Sequence, residues 1–545
     1  MREPAHRQSD AEAELHGESR DIDDCEAIGE AGMANGLSPS VRVRGDRMEI
    51  EEAVAALTAE LQPISAFENV PLTEAAGRVL AEDIRAAYDV PHFPKSAMDG
   101  YAVCAEDVKD AAPDHPVSLR VLGEMLAGDA PICPSEGEPG RDAPVCPSEG
   151  AAGRDAPACP SEGTAGSDAP VCPSEGAAGS DAPACPSEGA AGRDAPVSAS
   201  EGAAGRDVRG TAVRIMTGAA IPEGYDAVVR QEDTDYGEAE VRIFKGVAPY
   251  TNYCRIGEDI RKGSVVLTAG RRMGRVEAGV LASLGIPQVP VVRRLKVAII
   301  STGSELCDVS DKPEKTTGFA EATANVSDSL RTGHVEEAVR KPEAGRIYNS
   351  LAYTLTASLA AAGFSAEHCI CADEAEEIAA VLERVLQTSD VVITTGGVSV
   401  GKKDLLPEVL DSIGAKRIFS GINVQPGTPT IGSVKDGKAI LSLSGNPYAA
   451  LVNYDLYFWP VAAKLTGCDA YLPVIEDAVL ESEYPRVNRL RRLLRAHVAG
   501  GRVTIPAKSH ASSVLSNLLN CNCYIDLPKE TEVHPGDTVK VIRMP

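Results

Sequence analysis

The amino-acid sequence predicts a multidomain fold of the α/β plus β class. The chain has 545 residues, which exceeds the size at which one hydrophobic core keeps growing, so we expect three or four domains. Strand and helix patterns alternate between Leu295 and Leu465, whereas short alternating runs follow Gly467. These observations predict an α/β domain in the second half of the chain and a small β domain at its end.

The predicted α/β domain has the pattern of a three-layer fold. Residues 297–300 and 391–393 are continuously apolar, as expected for central parallel strands that helices cover on both faces. Ligands of such a sheet bind beyond the carboxyl ends of its strands. The expected strands are residues 296–301, 367–371 and 390–394, and the expected helices are residues 350–362, 374–386 and 405–413.

The regions on either side of this domain differ from it in pattern. Ile50, Val54, Leu57 and Leu61 share one face of a helix predicted near residues 48–61. Short strands, turns and helices follow it, and a run of short strands closes the chain. The expected boundaries are a mixed α/β region at 48–292, the α/β domain at 293–467 and a small β domain at 468–545.

Three segments are predicted to lie outside the folded domains. Residues 131–207 repeat a 13-residue unit with almost no large apolar side chains, so they cannot bury enough surface to offset their ordering entropy. Residues 1–47 form a polar, acidic extension, and residues 308–342 form a second insert rich in Glu, Thr and Ser. We expect the repeats and the extension to be disordered and the second insert to lie on the surface.

Composition argues against several classes of function. The 80 acidic and 53 basic residues give a formal net charge of −27, which opposes attraction to nucleic acid and to anionic membranes. The sequence has neither a run of 18 apolar residues nor a signal-peptide core, so we expect a cytoplasmic protein without a membrane segment. The fourteen cysteines include no C-x-x-C pair, which favours free thiols in a reducing compartment.

Polar turns follow the predicted strands of the α/β domain. Because the carboxyl ends of parallel strands share one edge, Glu305, Asp373 and Asp404 are expected to line one crevice with a glycine-rich loop. Glycine N–H groups can approach a phosphate or oxyanion there, and carboxylates can hold Mg²⁺ against the same group. The turns are Ser301-Thr-Gly-Ser-Glu305, Ala372-Asp373 and Thr395-Gly-Gly-Val-Ser-Val-Gly401.

Two loops of this domain have competing interpretations. Residues 396–403 match a Walker A loop except at Lys403, which stands where Ser or Thr contacts Mg²⁺, and this argues against a P-loop nucleotide hydrolase. The segment Ser444-Gly-Asn-Pro447 joins a strand to a helix that Pro447 can begin. It can present backbone donors, but by itself it fits a plain structural turn better.

Three turns in the N-terminal half display polar side chains. They contain Asp99, Thr217 and Asp259, and the Asp99-Gly100 pair is typical of a tight turn. Each turn by itself is compatible with a structural role, the first as the turn of a hairpin.

Taken together, these motifs resemble those of the molybdopterin molybdotransferase family, the MoeA type and the E domain of gephyrin. The resemblance covers the chain from about Met48 to the C-terminus, both inserts excluded. The residues that carry it are Ser96-Ala-Met-Asp-Gly-Tyr-Ala102, Arg214-Ile-Met-Thr-Gly-Ala219, Gly257-Glu-Asp259, Ser301-Thr-Gly-Ser-Glu-Leu306, Gly396-Gly-Val-Ser-Val-Gly401 and Ser444-Gly-Asn-Pro447.

The resemblance implies a fold and a reaction. The fold is an elongated homodimer with mixed N-terminal domains, a molybdopterin-binding α/β domain and a small C-terminal β-barrel. The active cleft lies between the α/β domain of one subunit and the N-terminal region of its partner. There adenylyl-molybdopterin meets molybdate, the dithiolene captures molybdenum, and hydrolysis releases AMP with the assistance of Mg²⁺. A molybdopterin adenylyltransferase is the expected upstream partner.

The resemblance also implies roles for individual residues, with Asp99 and Thr217 acting from the partner subunit. The implied catalytic residues are Asp99, Thr217, Asp259, Glu305, Asp373 and Asp404, of which Glu305, Asp373 and Asp404 also bind metal. The implied substrate-binding residues are Gly396, Gly397, Ser399, Gly401, Ser444, Gly445 and Pro447.

The sequence departs from the family pattern at a few positions. Ser304 and Ser444 replace a common Asp and a common Pro. Lysines that are frequent in the family are replaced by Gly421, Gln425 and Thr428. Fewer cations weaken the attraction for an oxyanion.

Three alternatives follow. The first concerns the lost lysines: either another lysine compensates for them (Lys402, Lys403 or Lys416), or the chain is a paralogue that prefers tungstate. A non-catalytic scaffold or pterin-binding protein of the same fold is the second alternative. The third is a nicotinamide-nucleotide amidase-type fusion or another pterin-binding enzyme, against which the Ser96–Ala102 motif argues.

Overall fold

A computed structural model describes most of the chain as two compact units. The units are Ala86–Ser264, and Met1–Arg85 together with Val265–Pro545. The described residues are 47–129, 208–309, 320–321, 341–398, 405–507 and 510–544. The repeats at 131–207, nearly all of the extension at 1–47 and most of the insert at 308–342 therefore lie outside the described residues.

Seven α-helices occur within the described residues. None of them is long and apolar enough to cross a membrane. They are α1 (Ile50–Ala59), α2 (Ala105–Val108), α3 (Arg275–Ser283), α4 (Ser350–Ala361), α5 (Ala375–Thr388), α6 (Leu406–Ser412) and α7 (Pro447–Thr466).

The strands of the first half of the chain are short. In the larger unit, β1 pairs with β11 and β2 pairs with β10. The strands are β1 (Phe67–Pro71), β2 (Ile84–Arg85), β3 (Lys95–Ser96), β4 (Gly100–Val103), β5 (Val117–Met125), β6 (Thr211–Ile215), β7 (Ala227–Arg230), β8 (Glu240–Ile243), β9 (Tyr253–Cys254), β10 (Val265–Leu267) and β11 (Gln288–Val292).

The smaller unit is built on a five-stranded sheet in the order β7-β4-β6-β5-β8. Apolar side chains cover both of its faces, with Tyr101 and Val229 in one core and Ala102 and Val213 in the other. Strand β3 pairs with β9, whereas β4 pairs with β6 and β7. The Asp99-Gly100 pair therefore joins two sheets, and its interpretation as a hairpin turn is wrong.

The α/β region contains ten strands. They are β12 (Lys296–Thr302), β13 (Leu306–Cys307), β14 (Ala320–Glu321), β15 (Ile347–Tyr348), β16 (Ser365–Cys371), β17 (Val391–Thr395), β18 (Lys416–Ser420), β19 (Val424–Gln425), β20 (Ile431–Lys435) and β21 (Lys438–Leu443).

Seven of these strands form a sheet in the order β14-β16-β12-β17-β21-β20-β18. The four central strands are parallel, as predicted, and antiparallel strands flank them. Helices α1, α4 and α7 cover one face and α5 and α6 cover the other, because the apolar side chains of the strands divide between two separate cores. The predicted three-layer α/β architecture is confirmed.

The C-terminal strands close into a small barrel, which confirms the predicted β domain. Five strands pair in the cycle β23-β24-β22-β26-β25-β23, and β19 adds a short parallel contact to β23. The interior holds apolar side chains such as Leu494, Val503 and Val541. The strands are β22 (Ile475–Leu480), β23 (Arg491–Ala499), β24 (Arg502–Thr504), β25 (Cys523–Leu527) and β26 (Thr538–Arg543).

A carboxylate in the middle of α7 joins this helix to the barrel. Tyr524 donates to Asp455 Oδ2 at 2.7 Å and Trp459 Nε1 donates to Oδ1 at 3.1 Å. Burial raises the pKa of Asp455 to about 6, and the two hydrogen bonds lower it only in part. Asp455 is partly exposed to solvent. Solvent screening therefore reduces the effect of this pKa shift on the free energy of unfolding.

Asp455→Asn is expected to change how stability depends on pH. An acid whose pKa rises on folding stabilises the fold most below its unfolded pKa of 3.8, and this contribution is lost as the pH rises to about 6. Asparagine does not titrate, so the variant should gain about 1–2 kcal/mol relative to wild type between pH 4.5 and pH 7.5. Calorimetry at both pH values measures this gain. An unchanged difference in unfolding temperature would contradict it.

Candidate functional site

The turns that follow β12 and β16 meet at the carboxyl edge of the α/β sheet. The Ser304 N–H donates to Asp373 Oδ2 at 3.4 Å. The Glu305 carboxylate folds back over Gly303, where an added Cβ would lie 2.9 Å from both carboxylate oxygens. Glu305 is exposed and Asp373 is partly exposed. The structure thus brings together two of the three predicted carboxylates on adjoining turns.

The glycine turn after β17 packs against its two neighbouring turns. Gly396 donates its N–H to Leu443 O at 3.0 Å. A Cβ on Gly396 would lie 2.6 Å from Thr302 O, and its φ of +94° disfavours any other residue. A Cβ on Gly445 would lie 3.6 Å from Gly396 Cα. Glycine at position 396 therefore lets three turns approach closely at one edge.

A layer of buried polar side chains lies beneath these turns. Thr395 Oγ1 donates to Ser301 Oγ at 3.0 Å, and Ser301 Oγ donates to Asn349 Oδ1 at 3.3 Å. Asn349 also caps α4 by accepting from the Ala352 N–H at 3.3 Å. Sequence reasoning missed Asn349, although an Asn directly before a predicted helix start is a recognisable signal.

Several predicted site residues fall in a short gap of the structure. Ser399, Gly401 and Asp404 lie outside the described residues. Among the residues that are described, no group of three or more His, Cys, Asp or Glu side chains is placed to hold a metal ion. Glu305 and Asp373 remain as two hard oxygen donors on adjoining turns, which is the donor chemistry that Mg²⁺ prefers.

In the smaller unit, Asp99 and Thr217 lie in direct contact. Asp99 Oδ1 accepts the Thr217 N–H at 2.7 Å and the Thr217 hydroxyl at 2.8 Å. These bonds lower the pKa of Asp99, the backbone bond most and the hydroxyl bond next. Asp259 is exposed on another turn, where its N–H donates to Val90 O at 3.0 Å. The structure pairs the first two predicted residues of this unit.

Sequence reasoning missed a cluster of basic side chains beside the Ser444–Pro447 turn. Arg495 is fully buried, and its guanidinium carbon lies 3.9 Å from the ring centroid of Tyr448. Arg492 Nε is buried without a hydrogen-bond partner among the described residues. Burial lowers the pKa of His510, and Arg495 and Arg492 lower it further. The sequence signal was the density of arginine between residues 486 and 495.

The basic cluster is relevant to the lysines that are frequent in the family and absent from this sequence. Lys416 forms an ion pair with Glu60 at 2.8 Å, which argues against its role as the compensating cation. Lys402 and Lys403 lie outside the described residues. Arg492 and Arg495 both lie within electrostatic range of Tyr448, the residue after Pro447, so they are cations that the described structure places near this turn.

Three family models match consecutive parts of the chain. They are the MoeA N-terminal region (domain I and II) at residues 48–150 and 161–285, the probable molybdopterin binding domain at 298–464, and the MoeA C-terminal region (domain IV) at 477–544. A molybdopterin molybdenumtransferase of Staphylococcus epidermidis is 30% identical over 483 residues, which cover 87% of this chain and 90% of the relative. The chain belongs to the molybdopterin molybdenumtransferase family.

Other relatives agree with this assignment. A molybdopterin molybdenumtransferase of Bacillus subtilis is 29% identical to the chain and covers 90% of it, with 93% of the relative matched. The crystal structure of a molybdopterin biosynthesis MoeA protein from Pyrococcus horikoshii matches with a TM-score of 0.63 at 25% identity, over 91% of this chain and all of that one. Molybdopterin molybdenumtransferases are enzymes, so the scaffold alternative is not favoured.

Proposed function

We propose that the chain transfers molybdenum from molybdate to adenylyl-molybdopterin and releases AMP. The observation that carries the proposal is the meeting of Glu305 and Asp373 with the glycine turn at Gly396, on one sheet edge of a molybdopterin molybdenumtransferase. Carboxylates and backbone N–H groups on the same edge suit a substrate that contains a pyrophosphate link.

Different residues of this sheet edge are proposed to bind the substrate and to promote its hydrolysis. The N–H groups of Gly397 and Gly445 hold the anionic link, Gly396, Ser444 and Pro447 shape the two turns that present them, and the N-terminus of α7 favours negative charge. Ser399 and Gly401, which follow Gly397 in the sequence, are proposed to bind the same group. Glu305 and Asp373 position the water that attacks the pyrophosphate link, and the link breaks to release AMP.

A divalent cation fits the proposed site. Glu305, Asp373 and Asp404 would hold Mg²⁺, because carboxylate oxygens are its preferred protein ligands. When bound, it would neutralise charge on the pyrophosphate and make the phosphorus more electrophilic. The formal net charge of −27 makes such neutralisation necessary for an anionic substrate.

The oxyanion is proposed to bind near Arg492, which is partly exposed, beside the buried Arg495. A partly buried cation attracts an oxyanion more strongly than a fully exposed one, because low local dielectric strengthens the interaction. Molybdate and tungstate share charge and shape, so this chemistry alone accommodates either. The two anions are therefore compared directly in the experiment below.

The remaining parts of the proposal concern assembly and location. We propose a homodimer in which Asp99 and Thr217 of the partner subunit complete the site, with Asp259 as a further catalytic residue. The dimer works in the cytoplasm, downstream of a molybdopterin adenylyltransferase. The proposed domain boundaries are 48–292, 293–467 and 468–545.

The test is AMP release by the purified full-length protein supplied with adenylyl-molybdopterin, Mg²⁺ and either molybdate or tungstate. Release of AMP that requires the oxyanion supports the transferase, and the more effective anion identifies the natural one. Substrate binding without AMP release with either anion would refute the transferase and favour a scaffold. Sedimentation of the same preparation tests the homodimer.

Thr217→Val is expected to lower the rate of AMP release about tenfold, because a hydrogen bond to an ionised group contributes roughly 1.5–3 kcal/mol. Valine keeps the side-chain volume but removes the hydroxyl that Asp99 accepts. Thr217→Ser is the matched control, since serine retains the hydroxyl. Equal rates for the two variants would show that the hydroxyl contact does not support turnover.

A further inference from the structure

Tyr448 connects the Ser444–Pro447 turn to the barrel strand that carries the basic cluster. It is the second residue of α7 and is completely buried. Its hydroxyl donates to Leu493 O at 2.6 Å and accepts the Arg495 N–H at 2.8 Å. Both partners lie on β23. One side chain of α7 thus satisfies a backbone carbonyl and a backbone N–H of the barrel.

The hydroxyl takes the place of a missing strand partner. Strand β25 pairs with β23 along one edge at residues 492–496. On the other edge, β19 pairs at residues 491–492 and β24 at residues 497–499, and no described strand pairs between them. Leu493 O and Arg495 N lie in this interval. A buried backbone group without a hydrogen-bond partner lowers the stability of the fold. The Tyr448 hydroxyl provides a partner for both groups, and it thereby fixes the distance from α7 to β23.

The backbone and the ring of Tyr448 make further contacts. The Tyr448 backbone N–H donates to Ser512 O at 2.9 Å. The Arg495 guanidinium lies over the Tyr448 ring and donates to Ala511 O at 2.9 Å and to Val514 O. The turn at Pro447, the Arg495 guanidinium and residues 511–514 are therefore held in one arrangement through Tyr448. Burial raises the pKa of Tyr448, so the phenol stays protonated and can donate and accept at once.

We propose that Tyr448 is a positioning residue that sets the basic cluster against the substrate turn. This inference rests on the proposed function, since it assigns the cluster to oxyanion binding. Loss of the hydroxyl releases β23 from α7 and lets Arg492, which β23 carries, shift relative to Pro447. A shift of a charged donor weakens oxyanion binding more than it weakens the chemistry of AMP release.

Tyr448→Phe tests the proposal in the full-length protein, with Tyr454→Phe as the matched control. Tyr454 is also in α7 and almost completely buried, but its hydroxyl donates to Ser358 Oγ at 3.2 Å instead of to the barrel. We expect Tyr448→Phe to raise the KM for molybdate about tenfold, as for the loss of a charge-assisted contact, with kcat within about twofold. Tyr454→Phe should leave both values unchanged.

Equilibrium titration with molybdate alone gives a second readout that does not need turnover, and its Kd should rise in parallel. Equal KM and Kd values for the two Phe variants would overturn the positioning role, even if both variants unfold at a lower temperature. If wild type binds molybdate but releases no AMP, the proposed function fails while the Kd comparison still decides the role of Tyr448.

If Tyr448→Phe does not fold, 4-aminophenylalanine at position 448 keeps the ring and a donor to Leu493 O. Its amine accepts from the Arg495 N–H more weakly than the phenol does, so a raised Kd would support the proposal and a wild-type Kd would refute it.

Discussion

Asp373→Ala is expected to lower the rate of AMP release by about 10²–10³-fold, as for the loss of one preorganised electrostatic group. The Asp373 carboxylate is partly exposed and accepts a long hydrogen bond from the Ser304 N–H at 3.4 Å. Its removal therefore costs little folding free energy. The unfolding temperature should stay within about 2 °C of wild type. Steady-state AMP release and calorimetry on the same preparation measure both quantities.

The matched control for this prediction is Glu374→Ala. Glu374 is the next residue, is also acidic and is exposed at the start of α5. A general loss of negative charge near the sheet edge affects both variants equally. If Glu374→Ala slows AMP release as much as Asp373→Ala does, the proposed role of Asp373 is wrong.

Gly100→Ala is expected to destabilise the smaller unit by more than about 4 kcal/mol, the range of severe steric or packing defects. A Cβ at this position would lie 1.9 Å from Val229 O, in the neighbouring strand β7. The carbonyl belongs to the sheet backbone, so it cannot move without breaking the pairing of β4 with β7. Calorimetry and limited proteolysis of the full-length variant measure the loss of this unit.

Gly279→Ala serves as the control for the glycine prediction. Gly279 lies inside α3, and an added Cβ there meets no heavy atom within 4 Å. Alanine in a helix interior gains about 1 kcal/mol over glycine, so this variant should be at least as stable as wild type. Wild-type stability of Gly100→Ala would show that β4 and β7 can separate without cost.

Gly100 also shows how a motif can be recognised correctly while its structural explanation is wrong. The Asp99-Gly100 pair was predicted as a turn because Asp-Gly sequences favour tight turns. The structure requires glycine at position 100 because β7 approaches closely. Close approach depends on a strand more than 120 residues away in the sequence, so no local pattern reveals it.

The elements of the α/β domain were predictable to within a few residues. Residues 296–301 and 390–394 were predicted as strands and are observed as Lys296–Thr302 and Val391–Thr395. Continuous apolar runs determine buried strands, because both of their faces need cover. The convergence of Glu305 with Asp373 followed from the same pattern, since parallel strands end at a common edge.

Other features needed the tertiary structure. Helix α1 was predicted from its apolar face, but that face fits any apolar partner. It packs with α7 in the core of the α/β domain. The antiparallel strands β20 and β18 extend the parallel sheet beyond what the helix and strand alternation indicated.

The sequence by itself determined the class of fold, the family and the identity of the carboxylates that line the sheet edge. These depend on local periodicity and on short motifs whose chemistry is carried by the residues themselves. The tertiary structure alone decided that Asn349 lies beneath the edge, that Arg495 is buried beside Pro447, and that Tyr448 completes the edge of β23. Those contacts join residues distant in the chain, and hydrogen-bond complementarity between distant segments leaves no periodic signal in either one.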